Sequence, residues 1–202
     1  MDPLQLFRNI PLTLVLIIIS VIVAIASSFG ENIEMLYPFF ISKYLEAGLP
    51  EIMEGEVWRL ITPIFIHFGP IHIIFNALWM YNLGSVIEPL QGSPRLGLLV
   101  GVMGILSNLG QFLWDGPGFG GLSGVVYGLL AYIWVQGKLN PRFGLILHPQ
   151  IVYMMMIWFF LCWSGVIGDI ANMAHTIGLL TGLLLGWIFS PNKNINLSDF
   201  KR

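Results

Sequence analysis

The sequence is short of charge, of cysteine and of basic clusters. Only 10% of its 202 residues are Asp, Glu, Lys or Arg, where a soluble domain carries about a quarter. Beside a hydrophobic content of 56%, that shortage makes lipid the natural solvent for much of the chain. The single cysteine, Cys162, excludes an intrachain disulfide, and its place inside an apolar run suits a packed thiol. The nine basic residues form no stripe or run, which argues against nucleic acid as a partner and against a polybasic lipid anchor. No HExxH pair occurs. A metal site built from His67, His72 and His175 would lack a nearby carboxylate, so neither a metal nor any other cofactor is expected. No internal repeat of the kind that marks many transporters is visible.

What is present is a series of apolar runs near 11–29, 70–89, 96–114, 122–137, 150–167 and 171–190. Six such runs predict an all-α membrane protein, a bundle of six transmembrane helices over 11–190 surrounded by membrane lipid. A short segment, 1–10, precedes it and a tail, 191–202, follows, with no soluble domain expected at either end. The first run is too long for a signal peptide and lacks a small-residue cleavage site. With the N-terminus inside, Arg8, Arg95, Lys138, Arg142, Lys193, Lys201 and Arg202 fall on the cytoplasmic side, and only Lys43 and Arg59 outside. That seven-to-two bias satisfies the positive-inside rule and places both termini in the cytoplasm. Glu31, Glu34, Glu46, Glu51, Glu54, Glu56, Asp115 and Asp169 then lie outside. One connection is long, the external loop 30–69. Its acids alternate with Trp58, Tyr37, Tyr44, Phe39 and Phe40, which suits an amphipathic structure in the membrane interface.

The fourth run opens on GFGGLSGVVYG at 118–128. From Leu122 to Gly137 it makes roughly 24 Å of helix, short of a hydrocarbon core of about 30 Å. Anchored by Lys138 at the inner face, it starts below the outer one. Ser123 then sits at a helix N-terminus inside the membrane, where non-helical backbone is tolerated only beside protein or water. The sixth run carries His175 at matching depth, followed by Gly178, Gly182 and Gly186. Gly124 and Gly128 repeat that spacing beside Ser123. Each glycine row reads equally as a packing seam between helices. Together they would also bring a serine and a histidine within hydrogen-bond reach, as nucleophilic catalysis requires. His72 and Asn76, one turn apart in the second run, suit donors to an oxyanion, alongside the free amides at the start of the serine's helix; they also suit bonds between helices. No acid in a run lies near His175, so a nucleophilic enzyme here would work as a serine–histidine dyad.

GLSG at 121–124, AHTIGLLTG at 174–182, the spacing His67, His72, Asn76, and Trp58-Arg59 in the long loop together resemble the rhomboid intramembrane serine proteases of the six-span bacterial type. The likeness runs from the first apolar run to the last. It implies a serine endopeptidase of the bacterial inner membrane that cuts in or beside the transmembrane segments of other membrane proteins. Ser123 would be the nucleophile and His175 the general base. His72, Asn76 and the amides of Ser123 and Leu122 would form the oxyanion hole. Tyr127 would pack on the histidine, supported by Gly121, Gly124, Gly178 and Gly182. Trp58 and Arg59 would shape the first loop, with Arg59 held by Glu54 or Glu56, and Phe68 would line the substrate pocket. The fifth run and 164–170 would match the family's gate and cap. Relatives of this type often carry a small cytoplasmic domain ahead of the first span, and only MDPLQLFRNI stands there.

Three rival readings remain. A silent relative would lack the serine or the histidine. A small transporter would need polar groups on the cytoplasmic half of the runs, and the sequence shows no stripe of them. A purely structural protein leaves the polar residues without a purpose.

Overall fold

A computed structural model describes residues 8–43 and 48–192. Tyr44, Glu46, Lys193, Lys201 and Arg202, with most of the N-terminal segment and the tail, lie outside the described residues. Among those described the protein is all helical, with eight α-helices, three 3-10 turns and no strand. Six helices have 15 residues or more. They are α1 (Pro11–Ala26), α4 (Pro70–Gln91), α5 (Ser93–Asp115), α6 (Ser123–Leu139), α7 (Pro149–Trp163) and α8 (Asn172–Ile188). They match the six apolar runs to within a few residues at each end. By length and composition α5 is sufficient to cross a membrane, and α1, α7 and α8 are shorter apolar helices.

The boundaries follow from local chemistry. Proline opens α1, α4, α5 and α7, where its missing N–H would have had no partner anyway. Gly92 joins α4 to α5 at φ +84°, a left-handed value that side chains resist.

Helix α6 is the axis of the bundle, with 13 of its 17 residues buried. Its sequence, VVYGLLAYIWV, is apolar all round, so every face needs a neighbour. Helices α4, α5 and α8 supply them, with Met80, Ile87, Leu99 and Met103 meeting Leu129, Leu130 and Ile133. The contact with α8 is the closest. A Cβ added at Gly178 would fall on the Gly124 carbonyl, and one at Gly182 on the Gly128 carbonyl. Both glycine rows are therefore one seam, and only hydrogen side chains allow it.

The long loop folds as the helices α2 (Ile33–Leu36) and α3 (Pro50–Met53) and two 3-10 turns, Val57–Leu60 and Thr62–Phe65. It has its own small core of Leu36, Phe40 and Ile66 against Val23 of α1. Arg59, 1% exposed, holds it together. Its Nε donates to Glu56 at 2.6 Å, and Nη1 donates to the carbonyls of Tyr37 and Phe40 at 2.6 and 2.8 Å. Of the two acids expected to hold Arg59, Glu56 does so. Trp58 beside it is half exposed. Glu51 accepts from Ser42 Oγ and the Lys43 amide. Burial would raise its carboxyl, but these bonds and the Arg59 charge outweigh it and hold the group below the ordinary range.

The half of the bundle around Lys138 holds a few buried polar groups. Glu88 is buried and accepts from the amides of Leu12 and Thr13, from Thr13 Oγ1 and from Ser93 Oγ. It caps α1 from α4. Tyr132 donates to Gln91, and Gln136 donates to the Gly186 carbonyl. These groups escaped notice because they are scattered singly along three runs and become neighbours only in the folded bundle. They are paired with one another, as buried polar groups require, and do not form a path.

Candidate active site

Ser123 is the first residue of α6, and Leu122 is its N-cap. The approach to it is set by Gly121, at φ +128°, whose amide donates to the Pro63 carbonyl at 3.0 Å. That bond ties the serine's loop to the long first loop. A side chain at 121 would be strained by φ, and its Cβ would lie 2.8 Å from His72 Nε2. Glycine is required twice over.

His175 comes from the first turns of α8, which neighbours fix firmly. Gln111 of α5 accepts from the amides of Met173 and Ala174 at 3.0 and 3.1 Å, doing the work of an N-cap side chain from another helix. Asn172 Nδ2 donates to the Cys162 carbonyl at 3.2 Å, joining α8 to the end of α7. The glycine seam brings α6 against this turn. The result is a 2.8 Å hydrogen bond between His175 Nε2 and Ser123 Oγ. The Tyr127 ring lies 4.8 Å from the His175 ring at 40°, restricting its tilt.

His72 accepts the Phe68 amide proton on Nδ1 at 3.2 Å, which leaves its own proton on Nε2. That N–H faces the Gly121 loop, next to Ser123. Asn76 is buried and donates to the His72 carbonyl within α4 at 3.0 Å; the second proton of its amide is left for another acceptor. His67 is fully buried, with its ring 4.9 Å from that of His72 and Nδ1 against the Phe65 carbonyl. Burial, and then the proximity of His72, push its imidazole down to about 3, so it is neutral at physiological pH. Among the described residues no group of three or more His, Cys, Asp and Glu is placed to hold a metal.

These side chains share one cavity of about 940 Å³, lined by Ser123, His175, His72, Asn76, Tyr127 and Phe68 among others. Its walls are mainly aromatic and aliphatic. Ser123, His72 and Asn76 contribute polar groups to it, a small set suited to orienting one carbonyl group. Phe75 of α4 stacks on Trp158 of α7 at 6.3 Å and 2°, along one side of the cavity. Cys162 is buried in its wall.

Of the residues singled out from the sequence, Ser123, His175, His72, Asn76, Tyr127 and Phe68 line the cavity; Gly121, Leu122, Gly124, Gly178 and Gly182 belong to the turn and the seam behind it, and Trp58 and Arg59 to the loop. Gln111, Asn108 and Asn172 were missed. Asn108 donates to the Leu60 carbonyl at 2.9 Å and ties α5 to the loop. Their signal was available: Ser107, Asn108 and Gln111 interrupt an apolar run, and polar residues in such runs are rarely idle.

The model of the rhomboid domain matches residues 54–192. The chain is 36% identical over 184 residues to a protein named Rhomboid protease GlpG from Salmonella choleraesuis (strain SC-B67). It is 35% identical over 184 residues to the proteins of that name from Salmonella paratyphi A (strain ATCC 9150 / SARB42) and Salmonella typhi. Each match takes in 90% of this chain and 64% of the relative, so the chain spans about 64% of the length of the curated relatives it matches. The serine-bearing turn, the glycine seam and the histidine helix all fall inside the matched domain, and the chain belongs to the rhomboid family.

Proposed function

We propose that this protein is an intramembrane serine endopeptidase that hydrolyses peptide bonds in or next to the transmembrane segments of other membrane proteins. The observation that carries the reading is the 2.8 Å bond between Ser123 Oγ and His175 Nε2, made by two separate helices at one cavity. A part-buried serine bonded to a buried histidine in an apolar bundle is costly to keep unless the pair acts. Membership of the rhomboid family and the names of the relatives support the same activity.

In this reading the six long helices cross the bilayer, both termini face the cytoplasm, and the loop 30–69 lies in the outer interface of a bacterial inner membrane. The seven-to-two distribution of basic residues supports that orientation. Helix α6, at 17 residues, reaches roughly 25 Å, which supports a Ser123 beneath the outer surface and a cut near the periplasmic face.

His175 Nε2 takes the Ser123 proton as Oγ attacks the scissile carbonyl. The developing oxyanion is met by the His72 Nε2–H, the free Asn76 amide proton and the amide of Ser123, with Leu122 alongside. His175 then passes its proton to the leaving amine. Water, activated by the same imidazole, releases the acyl group. Tyr127 keeps the imidazole in plane, Phe68 forms part of the substrate wall, and no cofactor takes part. The test is reconstitution in vesicles with a single-span substrate. The wild type should release two fragments cut near the vesicle face opposite the termini. Cleavage that continues in Ser123→Ala would refute the proposal.

A further inference from the structure

The turn that brings the chain to Ser123 leans on a stretch of the first loop for which the mechanism has no use. Residues 60–66 run between α5 and that turn. On the turn side the Pro63 carbonyl accepts the Gly121 amide at 3.0 Å, and a Cβ added at Gly120 would collide with Ile66. On the other side α5 presents Gly104 and Asn108, one turn apart and so on one face. Gly104 admits the side chains of Ile61 and Ile64. Asn108 Nδ2 donates to the Leu60 carbonyl at 2.9 Å.

Asn108 is 3% exposed, and a carboxamide is costly to bury in an apolar helix. Its partner is the last carbonyl of the 3-10 turn Val57–Leu60, a position whose carbonyl lacks an acceptor's usual partner inside the turn. Only Ile61 and Thr62 separate Leu60 from Pro63, and this short span is stiff. The Ile61 amide closes the first turn onto Trp58, and the Ile66 amide closes the second onto Pro63. The Pro63 ring fixes its own φ. A shift at Leu60 therefore passes to Pro63, to Gly121 and to the amides of Leu122 and Ser123. The loop has other fastenings: Arg59 donates to the Tyr37 and Phe40 carbonyls, and Thr62 to that of Phe39. Those bonds are internal to the loop and do not set where it stands against α5. The Asn108 bond does.

We infer that Asn108 is a positioning residue for the oxyanion hole: its bond to the Leu60 carbonyl sets, through the Pro63–Gly121 bond, the aim of the Leu122 and Ser123 amides. The inference rests on the nucleophile–base reading above. It adds to the α6–α8 seam a strut from α5 that touches no substrate.

The test uses the whole protein in detergent and the variant Asn108→Leu, which keeps the size of the side chain and loses its donor. Cleavage of a single-span substrate, the melting midpoint and hydrogen exchange at the Gly121 amide are measured together. We expect kcat to fall about tenfold, the worth of one hydrogen bond. KM should change little, because oxyanion donors act in the transition state alone. The Gly121 amide should exchange faster, and amides in the middle of α6, such as that of Leu130, should not. If Asn108 only fastens the loop, the folded variant keeps the wild-type kcat and loses only melting temperature. That result overturns the inference and leaves Ser123 and His175 in their roles. A fall in kcat with unaltered exchange at Gly121 overturns it as well. A wild type that neither cleaves nor takes a fluorophosphonate at Ser123 overturns the reading and the inference together. Should Asn108→Leu not fold, exchange in the wild type decides. The Asn108 side-chain amide and the Gly121 amide should respond alike to added denaturant, as groups released by one opening do. A Gly121 amide that exchanges through a separate, easier opening contradicts the inference.

Discussion

Helices α6 and α7 are both apolar and of similar length, 17 and 15 residues, yet 13 residues of α6 are buried and only three of α7, Met155, Phe159 and Cys162. The difference lies in side-chain size. Helix α6 offers glycines to a glycine row on α8, so backbones meet and positions are set by hard contact. Helix α7 offers methionine, tryptophan and phenylalanine, which touch their neighbours through ring edges such as Phe159 on Tyr127 at 5.5 Å. A bond of hydrogen-bond length between two helices needs the first kind of packing. A wall that admits a bulky substrate is better made by the second. On this account the bundle is rigid where it reacts and loosely packed where it is entered.

The largest effect is expected from breaking the rigid side. In Gly178→Val the new side chain meets the Gly124 carbonyl. Overpacking of this kind costs about 1–3 kcal/mol or more, and separation of α6 from α8 should abolish cleavage. Thermal unfolding in detergent and a substrate assay measure both. Next comes a change at the reacting centre that leaves the seam alone. His72→Ala should lower kcat by about 100-fold with an unaltered unfolding midpoint.

A smaller effect is expected in the stability of the first loop. Folded His67 stays neutral down to about 3, against an ordinary value of 6.5. The unfolded chain therefore binds the extra proton between those values, and stability rises with pH across that window. The midpoint should fall as pH drops below 6.5, and His67→Gln should flatten that slope in a pH series of melting curves. The smallest effect is expected on the loose side. Ile157 of α7 is 68% exposed, and Ile157→Val should shift stability by less than about 0.5 kcal/mol with cleavage unchanged. A large loss there would erase the contrast between the two helices.

The helices and the meeting of Ser123 with His175 were legible in the sequence for one physical reason. In an apolar chain each hydroxyl, imidazole and glycine row is conspicuous, so Ser123, His175, Gly124 and Gly178 stand out without any fold in hand. Gln111 and Asn172 were not legible as supports of His175, because their bonds go to backbone amides and carbonyls of distant residues. Glu88 was hidden likewise: nothing near it in sequence shows that the N-terminus of α1 arrives to be capped. The loop was legible as structure but not in its form. Arg59 serves carbonyls 19 and 22 residues away, a pairing that no local pattern encodes.

The central claim is that Ser123 is made nucleophilic by His175 across the α6–α8 seam. A fluorophosphonate probe with mass-spectrometric mapping tests it most directly. The account expects one adduct per chain, on Ser123, formed at a rate that collapses in His175→Ala although that variant remains folded. Labelling elsewhere, or labelling of Ser123 at an undiminished rate without the histidine, would contradict it.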